Sequence, residues 1–329
     1  MIQIRARRFA STLAAAAVGL LAAGAIAAAQ SYPTKTVRII APFPAGGLAD
    51  VLARAISEDL QKSLGQSVIV ENRPGAGGNT GANAVATADA DGHTLLLSSA
   101  GILSINEFIF SRMPFDPDKA FAPITVLADM SMLLVVHPKV GVSDFKGFLA
   151  KVRAEPGKLN FGSAGNGTTG HLALVMFQRT ANAQITHVPY SGAAPSVQDL
   201  LAGQIDGLFD NPPTVISHIR AGTIRALAAT ASTRMAVLPD VPTATEAGLP
   251  GFEASSWFAL VAPAATPKPV IDRLHAETVK ALRQPSMEER FGKLGARLVG
   301  NTPAEFAAFI KAERTRWGAV LKPAGIKLD

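Results

Sequence analysis

Downstream of residue 35 the apolar and polar positions follow two alternating rhythms. "TVRIIAPF" is a short, nearly unbroken apolar run, which predicts a buried strand that breaks on Pro and Gly. "ADVLARAISEDLQKSLG" then spaces Leu52, Ile56, Leu60 and Leu64 four apart, with Arg54, Glu58 and Lys62 on the other side. That spacing predicts an amphipathic helix, and Gly65 is placed to end it. "SVIVEN" predicts a second strand. "RPGAGGNTGANAVATA" reads as a Gly loop running into a small-residue helix, and "HTLLLSSAG" as a third strand. Strand, helix, strand in this order predicts a mostly parallel sheet with crossover helices.

The same alternation restarts near residue 131. "MLLVVHP" and "LNFGSAGNGTTG" predict strands flanking a helix over residues 144–153, and "HLALVMFQRTAN", "ITHVPY", "APSVQDLLAG", "QIDGLFD" and "TIRALAAT" continue it. After a turn-rich stretch, "SSWFALVAPA" returns as a strand. The last helix opens at Thr302-Pro303-Ala304-Glu305, the pattern of a capping box with Pro at the first helical position. Its buried stripe is expected from Phe306, Phe309, Ile310 and Trp317.

Two segments share one design. "IIAPFPAGGLADVLARAI" and "LNFGSAGNGTTGHLALVM" each run strand, Gly-rich loop, helix, one in each half of the chain. A Gly-rich turn before a helix is either a tight connection with no ligand or a place where something approaches the main chain. If the halves face one another, two helix N-termini converge, and their free N–H groups and partial positive charge suit an anion.

The N-terminal end changes the charge balance. Arg5, Arg7 and Arg8 precede an Ala/Leu-rich run that closes on Ala27 and Ala29, the layout of a secretory signal peptide over residues 1–29. Cleavage near Ala29 removes 29 of 329 residues and three arginines, leaving 300 residues and lowering the formal net charge from +6 to +3. The flanks of Arg7-Arg8 fit twin-arginine export poorly. There is no Lys/Arg run of the kind that nucleic acid requires, and no later stretch long and apolar enough to span a bilayer. The absence of cysteine excludes disulfides and thiolate chemistry. A soluble periplasmic protein of two domains is expected.

Catalytic and cofactor signals are poor. "GNGTTG", residues 165–170, matches the dinucleotide pattern, but the first strand–helix unit does not carry it, so no cofactor is expected. Around Ser163 the nucleophile-elbow pattern fails because Phe161 stands at its first Gly position. The six histidines form no metal-binding spacing. His171, in the first turn after the Gly loop, reads as a packed histidine before a ligand contact. Asp50 reads as a helix-start acid, and Asp206 and Asp210 as solvated or structural acids.

"YPTKTVRIIAPFPAGGLADVLAR", "LGQSVIVENRPGAGGNTGANAVATADADGHTLLL", "FGSAGNGTTGHLA", "HVPYSGAAPSVQDLLAGQID" and "LPDVPTATEAGLPGFEASSWFALVAPAATP" together resemble the Bug-type extracytoplasmic solute receptors of tripartite tricarboxylate transporters. The resemblance runs through essentially the whole mature chain. It implies an α/β type II periplasmic-binding-protein fold. Lobe 1 would comprise residues 30–130 plus 243–329, lobe 2 residues 131–242, with a small carboxylate held between them by main-chain N–H groups, small hydroxyls and water. It also implies membrane transport subunits as partners, a monomer, and no catalysis. An exported hydrolase acting on a similar anion is the rival, and a receptor serving signalling is a third possibility.

Carried over by position, the resemblance implies first-lobe contacts from Phe43, Ala45, Gly46, Gly47, Asp50, Gly78, Asn79, Ser98 and Ser99. The second lobe would supply Ser163, Gly167, Thr168, Thr169 and His171, with Tyr190, Ser191 and Asp210 nearby. Two departures stand out. Ala49 occupies a position where the family commonly has a hydroxyl residue, so a cleft hydrogen bond is expected to be missing. Val175 replaces a common acid, which disfavours solutes carrying an amino group.

Overall fold

A computed structural model describes residues 32–46, 48–323, 325 and 327. The expected signal peptide, residues 1–29, and Gly47 lie outside the described residues.

The first run of alternation folds as β1 (Val37–Ala41), α1 (Leu48–Leu64), β2 (Val68–Asn72), a short 3-10 turn (Ala76–Gly78), α2 (Asn79–Ala86) and β3 (Thr94–Ser99). The helix phase read from Leu52, Ile56 and Leu60 is the buried one, and Gly65 ends the helix at φ +70°, where its N–H donates to Gln61 O at 3.1 Å. A single π-turn (Gly101–Ile105) and the short helix α3 (Asn106–Ile109) follow β3; no sequence pattern announced either. β4 (Phe121–Ser131) then runs straight into β5 (Leu133–Val136).

The second run gives α4 (Phe145–Ala154), β6 (Asn160–Ser163), α5 (Thr169–Ala181), β7 (Thr186–Pro189), α6 (Ala193–Leu201), β8 (Gly207–Asp210), α7 (Pro212–Arg220) and β9 (Arg225–Ala229). The chain returns through β10 (Ser255–Pro263) and closes with α8 (Lys268–Leu282), α9 (Pro285–Gly292), β11 (Arg297–Leu298) and α10 (Pro303–Leu321). Asp144 caps α4 by accepting the Gly147 N–H at 2.7 Å. The capping box of α10 is present, with Glu305 N–H on Thr302 Oγ1 and Thr302 N–H on Glu305 Oε2.

The strands form two sheets, ordered β11-β4-β10-β3-β1-β2 and β7-β6-β8-β5-β9. Both contain the expected parallel part, β2-β1-β3 in one and β7-β6-β8 in the other. They also contain antiparallel strands that the alternation did not announce. β10 pairs antiparallel with β3 and β4, and β5 pairs antiparallel with β8 and β9. β5 and β10 are the strands that enter a sheet directly from the other one, with no crossover helix to reverse them.

Two crossings therefore join two αβ lobes, one at Met132 and one over residues 230–254. Thr230, buried at 1% exposure, ties them together. Its Oγ1 accepts the Met132 N–H at 2.9 Å and donates to Ala254 O, while its own N–H reaches Met132 O at 2.8 Å. Thr230→Val keeps the shape and removes the hydroxyl. It is expected to lower stability by about 1–3 kcal/mol and to speed hydrogen exchange at the Met132 amide, checked by denaturation and exchange measurements.

Candidate functional site

β1, β2 and β3 are parallel, so Ala41, Asn72 and Ser99 end along one edge of the six-stranded sheet. β6, β7 and β8 likewise place Ser163, Pro189 and Asp210 on one edge of the five-stranded sheet. Loops at carboxyl ends of parallel strands are where open α/β sheets bind ligands.

In the first lobe the chain leaves β1 through Pro42, Phe43, Pro44 and Ala45 and turns into α1 at Gly46, which has φ +83°. That left-handed conformation demands glycine. Asp50, in the first turn of the helix and 4% exposed, holds the loop. Its Oδ2 accepts Gly46 N–H and Arg54 Nε, each at 3.0 Å, and its Oδ1 accepts Asn72 Nδ2 at 3.0 Å with the Arg54 guanidinium at 2.9 Å. Asn72 Nδ2 also reaches Phe43 O at 3.1 Å. Hydrogen bonding from Arg54, helped by Gly46 and Asn72 and opposed by burial, holds the carboxyl down at about 2. Both oxygens are thus spent inside the lobe, and Asp50 positions the loop.

Ala49 is buried at 4% exposure within the apolar cluster beneath the sheet that also holds Leu52 and Leu97. Its methyl packs in that cluster and offers the loop no hydrogen bond. Val175 is half-buried on α5.

The second Gly loop packs behind the first. At Gly78, φ +94°, an added Cβ would lie 2.8 Å from Ile102 Cδ1 and 3.5 Å from Phe43 Cζ, so the bare backbone lets the two loops meet. Asn79 is directed inward: its Oδ1 accepts Asn106 Nδ2 at 2.7 Å and its amide reaches Met113 Sδ at 3.5 Å. Asn106 Nδ2 also holds Gly77 O at 3.2 Å. Ser98 is fully buried with an unpartnered Oγ, and Ser99, at the strand end, is 8% exposed.

In the second lobe Ser163 closes β6 at 2% exposure. Its Oγ lies 2.7 Å from His187 Nε2 and accepts Gly165 N–H at 3.1 Å. Thr168 Oγ1 donates to Gly165 O at 2.7 Å, and Gly167 N–H donates to His171 Nδ1 at 3.1 Å. His171 stacks on His187 with ring centroids 4.0 Å apart and planes 18° from parallel. Burial, then the neighbouring His187, brings the His171 pKa down to about 4, and burial lowers that of His187. Gly170 packs the start of α5 on β8: a Cβ there would fall 2.6 Å from Phe209 O. The third glycine of "GNGTTG" therefore serves helix packing.

Thr169 is half-buried in the first turn of α5, and Ser191 is exposed beyond β7. Tyr190 is half-buried, and its hydroxyl is already given to Asp199 Oδ2 at 2.7 Å. Asp210, at the end of β8, is 8% exposed and accepts Asn211 N–H at 2.7 Å; burial pushes its pKa up to about 6. Asp206 is structural, holding Asn160 N–H at 2.7 Å and Lys139 Nζ at 3.1 Å.

The structure thus clusters Phe43, Gly46 and Gly78 in one lobe and Ser163, Gly167, Thr168 and His171 in the other. It turns Asp50, Asn79 and the Tyr190 hydroxyl to internal partners. Asn72, Asn106 and His187 support these loops and were not singled out in the sequence. His187 faces Phe161 across the β6–β7 register, a proximity that only strand pairing creates. The close Ser163–His187 contact is also no nucleophile and base. The serine is buried and held by Gly165, and among the described residues no carboxylate orients His187.

The model of the tripartite tricarboxylate transporter family receptor matches residues 52–326. The chain is 39% identical to protein BugT of Bordetella pertussis over 301 residues, 91% of this chain and 92% of that one. Among solved structures, an R. palustris protein with adipate superposes at a TM-score of 0.84, with 36% identity over 90% of this chain and all of the other. MatC from Rhodopseudomonas palustris with bound malate gives 0.81, with 35% identity over 88% of this chain and all of the other. Its two-lobe fold, its paired Gly loops and these likenesses agree: the chain belongs to the tripartite tricarboxylate transporter receptor family and is a solute-binding receptor, not an enzyme.

Proposed function

We propose that the chain is a periplasmic receptor that captures a small dicarboxylate between its two lobes and presents it, as a monomer, to the membrane subunits of a tripartite carrier. The supporting observation is the pairing in this chain of two strand–Gly loop–helix units, each at the carboxyl edge of a sheet, alongside its likeness to two solved structures, one with adipate and one with malate. Main-chain N–H groups and small hydroxyls at helix starts suit a carboxylate without a fixed cation. Ala45 would offer its main-chain N–H and Ser99 its hydroxyl from lobe 1, with Gly46 and Gly78 leaving the backbone there uncovered. Thr169 would offer its N–H and hydroxyl at the start of α5 from lobe 2, beside Gly167 and Thr168, with Ser191 and Asp210 at the margin.

Against the expected bounds of 30–130 plus 243–329 and 131–242, we place the lobe boundaries among the described residues near 131/132 and 253/254. The return segment stays on the five-stranded sheet, with Ala229 N–H on Pro242 O at 2.8 Å and Phe252 against Phe177 and Phe209. Closure of the lobes on a ligand couples affinity to an open–closed equilibrium.

A thermal-shift screen of the mature protein tests the reading. Adipate, malate and longer and shorter diacids are expected to raise Tm by mass action, and the corresponding diamides to leave it unchanged. Stabilisation by the diamides but by none of the acids would refute the carboxylate assignment. Mass spectrometry of denatured protein covers the case of a co-purified acid.

A further inference from the structure

The loop that joins β6 to α5 is held from both ends by two rings that belong to different elements. At its start, Ser163 Oγ meets His187 Nε2 of β7 at 2.7 Å; near its end, Gly167 N–H donates to His171 Nδ1 of α5 at 3.1 Å. The two imidazoles lie face to face at 4.0 Å, which closes the circuit from Ser163 through both rings to Gly167. The local sequence leaves these groups no substitute: Gly167 has no side chain and sits at φ +76°, and Ser163 is buried.

The arrangement also sets the protonation of the pair. Since His171 Nδ1 accepts the Gly167 N–H, its ring proton sits on Nε2 and the ring is neutral. A proton on Nδ1 would set donor against donor, and charge on both rings would set cation against cation at stacking distance. The acids on the neighbouring elements are Asp210 at the end of β8 and Asp199 on α6, the latter occupied by the Tyr190 hydroxyl. Among the described residues neither bonds to a ring, so no acid draws a charge onto the pair.

We propose that His171 and His187, stacked as a neutral pair, are positioning residues that hold the Ser163–Thr168 loop in its solute-ready form from both ends. The inference rests on the reading that this loop receives the solute. It assigns part of the second lobe's contribution to affinity to two side chains acting through the loop, one of which, His187, lies 24 residues beyond Ser163. A preformed loop spares binding the cost of ordering it.

The test compares shape-keeping and bond-keeping variants by calorimetric titration with adipate and malate. His171→Leu and His187→Leu remove the ring nitrogens and are each expected to weaken binding about tenfold. His171→Asn places an oxygen near Nδ1 and His187→Gln an amide near Nε2; both are expected to bind within about threefold of wild type. The double leucine variant is expected to lose little more than either single one, because both rings serve one loop. Leucine variants that bind like wild type, or Asn and Gln variants as weak as the leucine ones, would overturn the proposal. A second readout needs no solute: a through-bond nitrogen–nitrogen coupling between the Gly167 amide and His171 Nδ1 is expected by NMR in the free protein. Its absence overturns the proposal. Its presence in a protein that binds neither acid supports the loop clasp and sinks the dicarboxylate reading instead.

Discussion

Glu313→Leu is expected to lower stability by about 4 kcal/mol, one of the two largest losses foreseen for a single substitution in this chain. The carboxylate is 7% exposed on α10 and serves three donors at once. Its Oε2 accepts Trp257 Nε1 at 3.0 Å and Trp317 Nε1 at 3.3 Å, and the Arg316 guanidinium lies 2.8 Å from Oε1. Both indoles are fully buried, and Trp257 is boxed edge-on by Phe306 at 5.9 Å and Phe309 at 5.2 Å. Leucine fills similar space but strands two indole N–H groups where no water reaches them, at about 1–3 kcal/mol each. Among the described residues Arg316 would keep Glu253 O, at 3.1 Å, and its place 5.1 Å over the Trp317 ring. In a domain pair of this size the loss corresponds to a fall in Tm of roughly 10 °C. Glu313→Gln retains a carbonyl acceptor and is expected to recover more than half of it. Equilibrium denaturation decides the matter; a leucine variant within about 1 kcal/mol of wild type would mean the indoles have found other acceptors.

Periodicity and punctuation carried much of the fold. The four-residue spacing from Leu52 to Leu64 gave α1 and its buried face, and Thr302 with Glu305 marked the start of α10 because a capping box is a local pattern. That same phase already placed Ala49 on the buried face, three residues before Leu52. Asp50 had its partner in plain view as Arg54, one turn on. The antiparallel entry of β5 and β10 was not legible, because strand direction is decided by how the chain crosses between sheets. His187 was hidden for a related reason: nothing in "ITHVPY" says that its ring will lie under Ser163 until β7 pairs in register with β6. The π-turn after β3 brings Asn106 to Gly77 and Asn79, a contact that requires the irregular turn itself.

The other large effect belongs to Asp50, and it links stability to the site. Asp50→Ala is expected to cost about 3 kcal/mol and to weaken adipate or malate binding by at least tenfold. The variant frees Arg54, Asn72 and the Gly46 N–H together, and Gly46 is the residue that turns the first loop into α1. Acid should reproduce part of this loss in the native chain. The folded-state pKa is held at about 2, below the ordinary 3.8, chiefly by Arg54. The folded form therefore binds this proton less readily than the unfolded form. The resulting stabilisation, about 2 kcal/mol, is fully present above the unfolded value and is lost as pH falls through the folded one. Asp50→Asn carries no such term. The gap in denaturation midpoint between wild type and Asp50→Asn is therefore expected to hold from pH 7 to pH 5 and to narrow steadily below pH 4. A gap that stays constant into acid would mean that the loop is held by shape and hydrogen bonding alone, with the charge of Asp50 irrelevant. A gap that closes, together with weakened solute binding in Asp50→Asn at neutral pH, would tie the ionised carboxylate to the geometry of the loop.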